Sequence, residues 1–118
     1  MAAVALNKFL TVRHLVTDSR VGIYTSPIGV ASIVLFAQAT NVGSGVDAGV
    51  KFVTFSHARP GDQPEDFQII NDGPVIPNDA LNLIIGRLVL ETGDELVLQG
   101  DTTGDVKVVV SILETAKS

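Results

Sequence analysis

The chain has no cysteine and no tryptophan, one methionine, one tyrosine and five phenylalanines in 118 residues. Without cysteine, disulfides and thiolate metal sites are excluded. Charge is scarce: 18% of residues are charged, against about 25% in an average soluble domain. Basic residues number 8 against 13 acidic ones, for a net charge of −5. An acidic chain without a Lys/Arg cluster argues against a nucleic-acid partner. No apolar run approaches the roughly 18 residues of a membrane span, so no membrane partner is expected either. Mean hydropathy is nevertheless +0.38. The apolar excess belongs either against neighbouring subunits or in a strand-rich core under a neutral surface.

A length of 118 residues fits one domain. Such a chain buries about 65% of its unfolded surface and needs no staples. Residues 1–20 carry Lys8, Arg13 and Arg20 against Asp18, or +2, and the remainder carries 5 basic and 12 acidic residues, or −7. The N-terminus does not read as a signal peptide. No basic region precedes its apolar part, which Lys8, Arg13 and His14 interrupt.

Residues 1–16 fit neither the helical nor the strand period cleanly. They read as a strand preceded by a loose arm, with a short helix as the alternative. The organisation is therefore an N-terminal arm or first strand over 1–19 and a β-sandwich domain over 20–118. Residues 20–25 read as a short strand, and Ser26-Pro27-Ile28-Gly29 as a turn. Residues 31–40 form the longest apolar run, β-branched enough to suggest a central strand buried on both faces. Residues 50–57 and 67–70 follow as strands, the second ending in a turn at Asn71-Asp72-Gly73-Pro74. Further strands are expected at 81–85, 88–90, 95–99 and 106–113. In the last, Val106, Val108, Val110 and Ile112 face one way, and Lys107, Val109, Ser111 and Leu113 the other. Roughly eight short strands separated by turn signals indicate an all-β fold. We expect a single antiparallel β-sandwich of the jelly-roll or another Greek-key type.

No residue pattern supports catalysis, a cofactor or a metal. His14 and His57 lie in no metal-ligand spacing. Asp62, Glu65 and Asp66 read as a solvated acidic loop rather than a calcium site. Asp94, Glu95, Asp101 and Asp105 sit at turns, where Asp after Gly is ordinary turn chemistry. Ser56 and His57 are adjacent in a strand and point to opposite faces, so they make no nucleophile–base pair. Sugar-binding sandwiches present exposed aromatic platforms, and Tyr24 is the obvious candidate for one.

Five short motifs recur in order. Ile23-Tyr24-Thr25-Ser26-Pro27-Ile28-Gly29 leads into the long apolar strand. Ala39-Thr40-Asn41-Val42 precedes a Gly/Ser loop. Ile76-Pro77-Asn78-Asp79-Ala80-Leu81 comes next, then Arg87-Leu88-Val89-Leu90-Glu91-Thr92-Gly93-Asp94, and finally Ser111-Ile112-Leu113-Glu114. This order resembles small β-sandwich virion structural proteins of tailed bacteriophages, including phages of cyanobacteria, over about residues 20–114. The resemblance implies a non-enzymatic protein that coats or joins parts of a virion, assembled in the host cytoplasm. The leading expectation is a capsid decoration (cement) protein. Its expected partners are the major capsid protein or another virion protein, and copies of itself in a trimer or larger ring. The docking residues expected are Val4, Leu6, Phe9, Leu10, Val12 and Arg13. The alternatives are a neck, tail, baseplate or fibre component, and a receptor- or glycan-binding sandwich.

Overall fold

The computed structural model describes residues 7–43, 49–61 and 66–116. These form nine strands: β1 (Asn7–Leu15), β2 (Val21–Thr25), β3 (Val30–Asn41), β4 (Lys51–Ala58), β5 (Phe67–Val75), β6 (Ala80–Asn82), β7 (Leu88–Leu90), β8 (Glu95–Gly100) and β9 (Val106–Ala116). No helix occurs among the described residues. The first sheet runs β1-β9-β3-β6, with β7 also on β3, and the second runs β2-β8-β4-β5. All strand pairings are antiparallel.

The chain is folded back on itself as a doubled ribbon. β1 pairs with β9, β2 with β8, β3 with β6 and β7, and β4 with β5. Wrapping that ribbon into two sheets makes a jelly roll. β6 and β7 share one strand position. β6 pairs with Gln38, Ala39 and Thr40, and β7 with Ser32, Ile33 and Val34. Between them the Leu83 N–H donates to Ala37 O at 2.8 Å. Ile84, Ile85, Gly86 and Arg87 then loop out, opposite a bulge in β3 between Val34 and Phe36. The expected eight strands thus correspond to eight strand positions, one of them broken.

Alternation builds the core. Val34, Val108, Val110 and Ile112 of the first sheet and Val53, Phe55, Leu96 and Leu98 of the second are buried between the layers. β-Branched and aromatic side chains suit such a half-buried pleated surface. Expectation and structure part at three places. The strand expected at 81–85 ends at Asn82, because the chain leaves β3 there for the 84–87 loop. β3 is central, but its buried residues alternate with half-buried ones and Phe36 is exposed, so it is covered on one face only. The expected turn at 71–74 is a bulge inside β5. Between Val53 and Phe55 of β4 the partner strand carries an extra residue, and Asp72 adopts a positive φ of 50°. The Thr54 hydroxyl accepts the Asp72 N–H at 3.0 Å. Turn-forming residues and bulge-forming residues are the same, because both need left-handed backbone. Gly73 beside the bulge has no room for a side chain: a Cβ there would lie 2.4 Å from Ile70 Cγ2.

Candidate binding surface

The outward face of the first sheet is apolar at its centre. Phe9, Leu113, Ile33 and Val89 stand in direct cross-strand register on β1, β9, β3 and β7. They alternate with the core residues, so all point away from the second sheet. Three interstrand steps make this row about 14 Å wide. Phe9 is 73% exposed and Val89 57%. Phe36 and Val109, on the same face, are also exposed. Arg13, directly opposite Val109, and Lys107, opposite Leu15, flank the row. Among the described residues no acidic side chain points outward from the strands of this sheet, although the chain as a whole is acidic.

The expected docking residues divide. Phe9 and Arg13 belong to this outward face. Leu10 and Val12 point inward and pack against the core. Val4 and Leu6 lie outside the described residues. The segment read as an arm or a strand is a strand from Asn7 onward, paired with β9 along its whole length. Leu113, Ile33, Val89 and Phe36 share this face with Phe9 but are not among the expected residues; for Ile33 and Phe36 the reason is that β3 was read as covered on both faces. The outward set Lys107, Val109, Ser111, Leu113, already visible in the sequence, was the available signal. Beside Val89 a cleft of about 430 Å³ opens at the sandwich edge, lined by His57, Arg59, Phe67, Gln68, Ile69, Leu88 and Val89.

The polar residues of the five motifs act as internal staples. Asn41 is buried. Its Nδ2 donates to Gly49 O at 2.8 Å and Val75 O at 2.9 Å, and its Oδ1 accepts the Gly43 N–H at 2.9 Å. Its backbone bonds both ways with the Asn78-Asp79 turn, where Asn78 takes a φ of 60°. Asp94 is 1% exposed. It accepts from Arg59 Nε at 2.9 Å, from His57 Nε2 at 3.0 Å and from the Glu91 N–H at 2.9 Å. Burial alone would raise its pKa, but Arg59, the Glu91 N–H and His57 together hold it below the usual carboxylate value.

Tyr24 joins the first and last motifs. Its hydroxyl donates to Glu114 Oε2 and lies 2.7 Å from Ser32 Oγ, which is 2.9 Å from Ser26 Oγ. The ring packs against the core, so Tyr24 offers no stacking platform for a sugar. Burial, reinforced by the Glu114 carboxylate, pushes its pKa from 10.0 up to about 12. Tyr24 is the sole tyrosine and tryptophan is absent, so tyrosinate absorbance reads this network alone. The folded protein is expected to show no tyrosinate near pH 10, with ionisation delayed towards 12. Glu114→Gln should lower that midpoint. A midpoint at the free value would refute the network.

The remaining carboxylates are structural partners. Asp66 accepts from Arg20 Nε at 2.5 Å and Nη2 at 2.7 Å, Asp105 pairs with Lys51 at 3.3 Å, and Asp101 accepts the Phe52 N–H at 3.2 Å. Asp62 and Glu65 lie outside the described residues. Among the described residues no cluster of three or more His, Asp or Glu side chains is placed to hold a metal.

No family model matches this chain, and no curated protein sequence matches it. Solved structures of similar shape include two that it covers almost end to end. One comes from a study entitled "Bacillus endospore appendages form a novel family of disulfide-linked pili", with a TM-score of 0.57 at 9% identity, covering 97% of this chain and 89% of the other. The second comes from "Acidic stable capsid structure of Helicobacter pylori bacteriophage KHP30", with a TM-score of 0.57 at 12% identity, covering 96% of this chain and 90% of the other. At these identities the likeness is one of fold, and it spans nearly the whole jelly roll in both.

Proposed function

We propose that this protein is a non-enzymatic structural component of a tailed-phage virion, and more finely a capsid decoration protein. The outward row Phe9, Leu113, Ile33 and Val89 carries the reading. A contiguous exposed apolar patch on a small domain marks a contact with another protein. The partner is the major capsid protein or another virion protein, met through an apolar surface with acidic residues placed for Arg13 and Lys107. The five-motif resemblance and the fold likeness to a phage capsid structure support the same reading. Copies of the chain itself are the second partner. The protein then resides in the virion after assembly in the host cytoplasm.

Quantitative mass spectrometry of purified particles, scaled to the major capsid protein, tests this first. Copies comparable in number to the capsid protein are expected. A small fraction of that number would move the protein to the neck or tail, and absence from particles would overturn the virion reading. Val89→Asp should then abolish binding to shells lacking the protein while leaving the fold intact, because Val89 is outward and solvent-facing. Undiminished binding would remove this face from the contact.

A further inference from the structure

A sheet edge exposes unpaired N–H and C=O groups and invites another strand, so proteins blunt edges with bulges, prolines or short strands. Three of the four edge positions among the described residues are blunted. β5 carries register breaks at two places, between Val53 and Phe55 and between Phe55 and Ser56 of its partner, and contains Pro74. β6 and β7 are three residues each, separated by the excursion over 84–87. β2 has five residues and a break between Gly22 and Tyr24. β1 differs. It runs nine residues, contains no proline or glycine, and keeps unbroken register with β9 from Asn7 to Leu15. Among the described residues no strand lies on its other side.

From the contrast between β1 and the three blunted edges, we infer that β1 pairs antiparallel with β1 of a second copy, joining two first sheets across a two-fold axis at Thr11. The side chains of β1 are self-complementary about that centre. Thr11 meets Thr11, a favourable cross-strand pair. Leu10 meets Val12 on the core side. Phe9 meets Arg13 on the outward side, twice over, and places each guanidinium against an exposed ring. Lys8 meets His14, whose Nε2 is buried without a hydrogen-bond partner in the single subunit. No acid or base faces its own kind, save that Lys8 faces an imidazole; burial lowers the His14 pKa, which disfavours a charge on that ring. An isologous contact of this kind closes after two subunits. It deepens the structural role proposed above by naming the self-contact.

The absence of native cysteine makes the test clean. Facing residues of an antiparallel pair have Cα atoms about 4.5–5.5 Å apart, within disulfide range. Under mild oxidation of the full chain, Thr11→Cys is expected to become a disulfide-linked dimer, whereas Val109→Cys, outward on β9, gains no cross-link. In sedimentation the unmodified protein should run at twice its 12.4 kDa mass. Thr11→Lys should run as a folded monomer, and so should Thr11→Glu; mixing the two should restore the dimer by opposite charge. A monomeric unmodified protein at high concentration would overturn the inference. So would a dimer indifferent to Thr11→Lys, or cross-linking at position 11 no better than at 109. Failure here is separable from failure of the virion reading, which rests on copy number in particles.

Discussion

Replacing Asp94 with Ala is expected to cost about 3 kcal/mol of folding free energy, the scale of losing hydrogen bonds to a buried charged group. That is a fall of roughly 10 °C in Tm for a domain of this size. The carboxylate gathers three donors from two sequence-distant segments, Arg59, His57 and the Glu91 N–H. Arg59 is half exposed, so losing Asp94 lets its charge return to water. The larger share of the cost falls on His57 Nε2 and the uncapped Glu91–Asp94 turn, in which Gly93 holds a φ of 87°. The pH dependence follows from the direction of the shift. A carboxylate whose folded pKa is depressed stabilises the fold above its unfolded value, and that contribution is lost as pH falls through the folded value. The difference between wild type and Asp94→Ala should therefore be constant above about pH 4 and shrink below the free value of 3.8. Thermal or urea unfolding across that range measures it. A difference that grows on acidification would show that Asp94 is not ionised in the native state.

Asn41→Leu keeps the branching of the side chain but adds bulk and leaves Gly49 O, Val75 O and the Gly43 N–H without their partner. Unmet buried backbone groups cost about 1–3 kcal/mol each. A total on the order of 3 kcal/mol is expected after partial access of water. Asn41→Asp should be worse near neutral pH, because a carboxylate would face two carbonyl oxygens, and should recover on acidification as it protonates. Val42→Ala is the control: Val42 is exposed, and its N–H bond to Asp105 O survives the change. If Asn41→Leu unfolds no sooner than Val42→Ala, Asn41 is not the staple between β3, β5 and the loop before β4.

Both residues sit in motifs that, read along the chain, look like turn-and-strand punctuation. Gly93-Asp94 reads as a corner, and Asn41 as the last polar residue before a flexible loop. In three dimensions each fastens segments remote in sequence, as Tyr24 and Glu114 do across 90 residues. His57 shows the same limit. It closes the strand expected at 50–57 and stands next to last in β4, but its partner lies 37 residues away. Cross-strand partners depend on register, which a single strand does not encode. Apolar alternation, by contrast, is local, so strand positions were legible almost throughout. The bulges were not: Asp72 is a residue type that also marks a turn, and Leu35 is an ordinary strand residue that marks nothing.

By itself, then, the sequence determined the all-β class, the approximate strand number and the scarcity of reactive side chains. All of these follow from composition and from a period of two. The tertiary structure decided the jelly-roll order, the outward apolar row and the one unblunted edge. It decided them because burial on a sheet is a property of the layer opposite. The same Val–x–Val alternation is core on one side and surface on the other, and only the second sheet settles which.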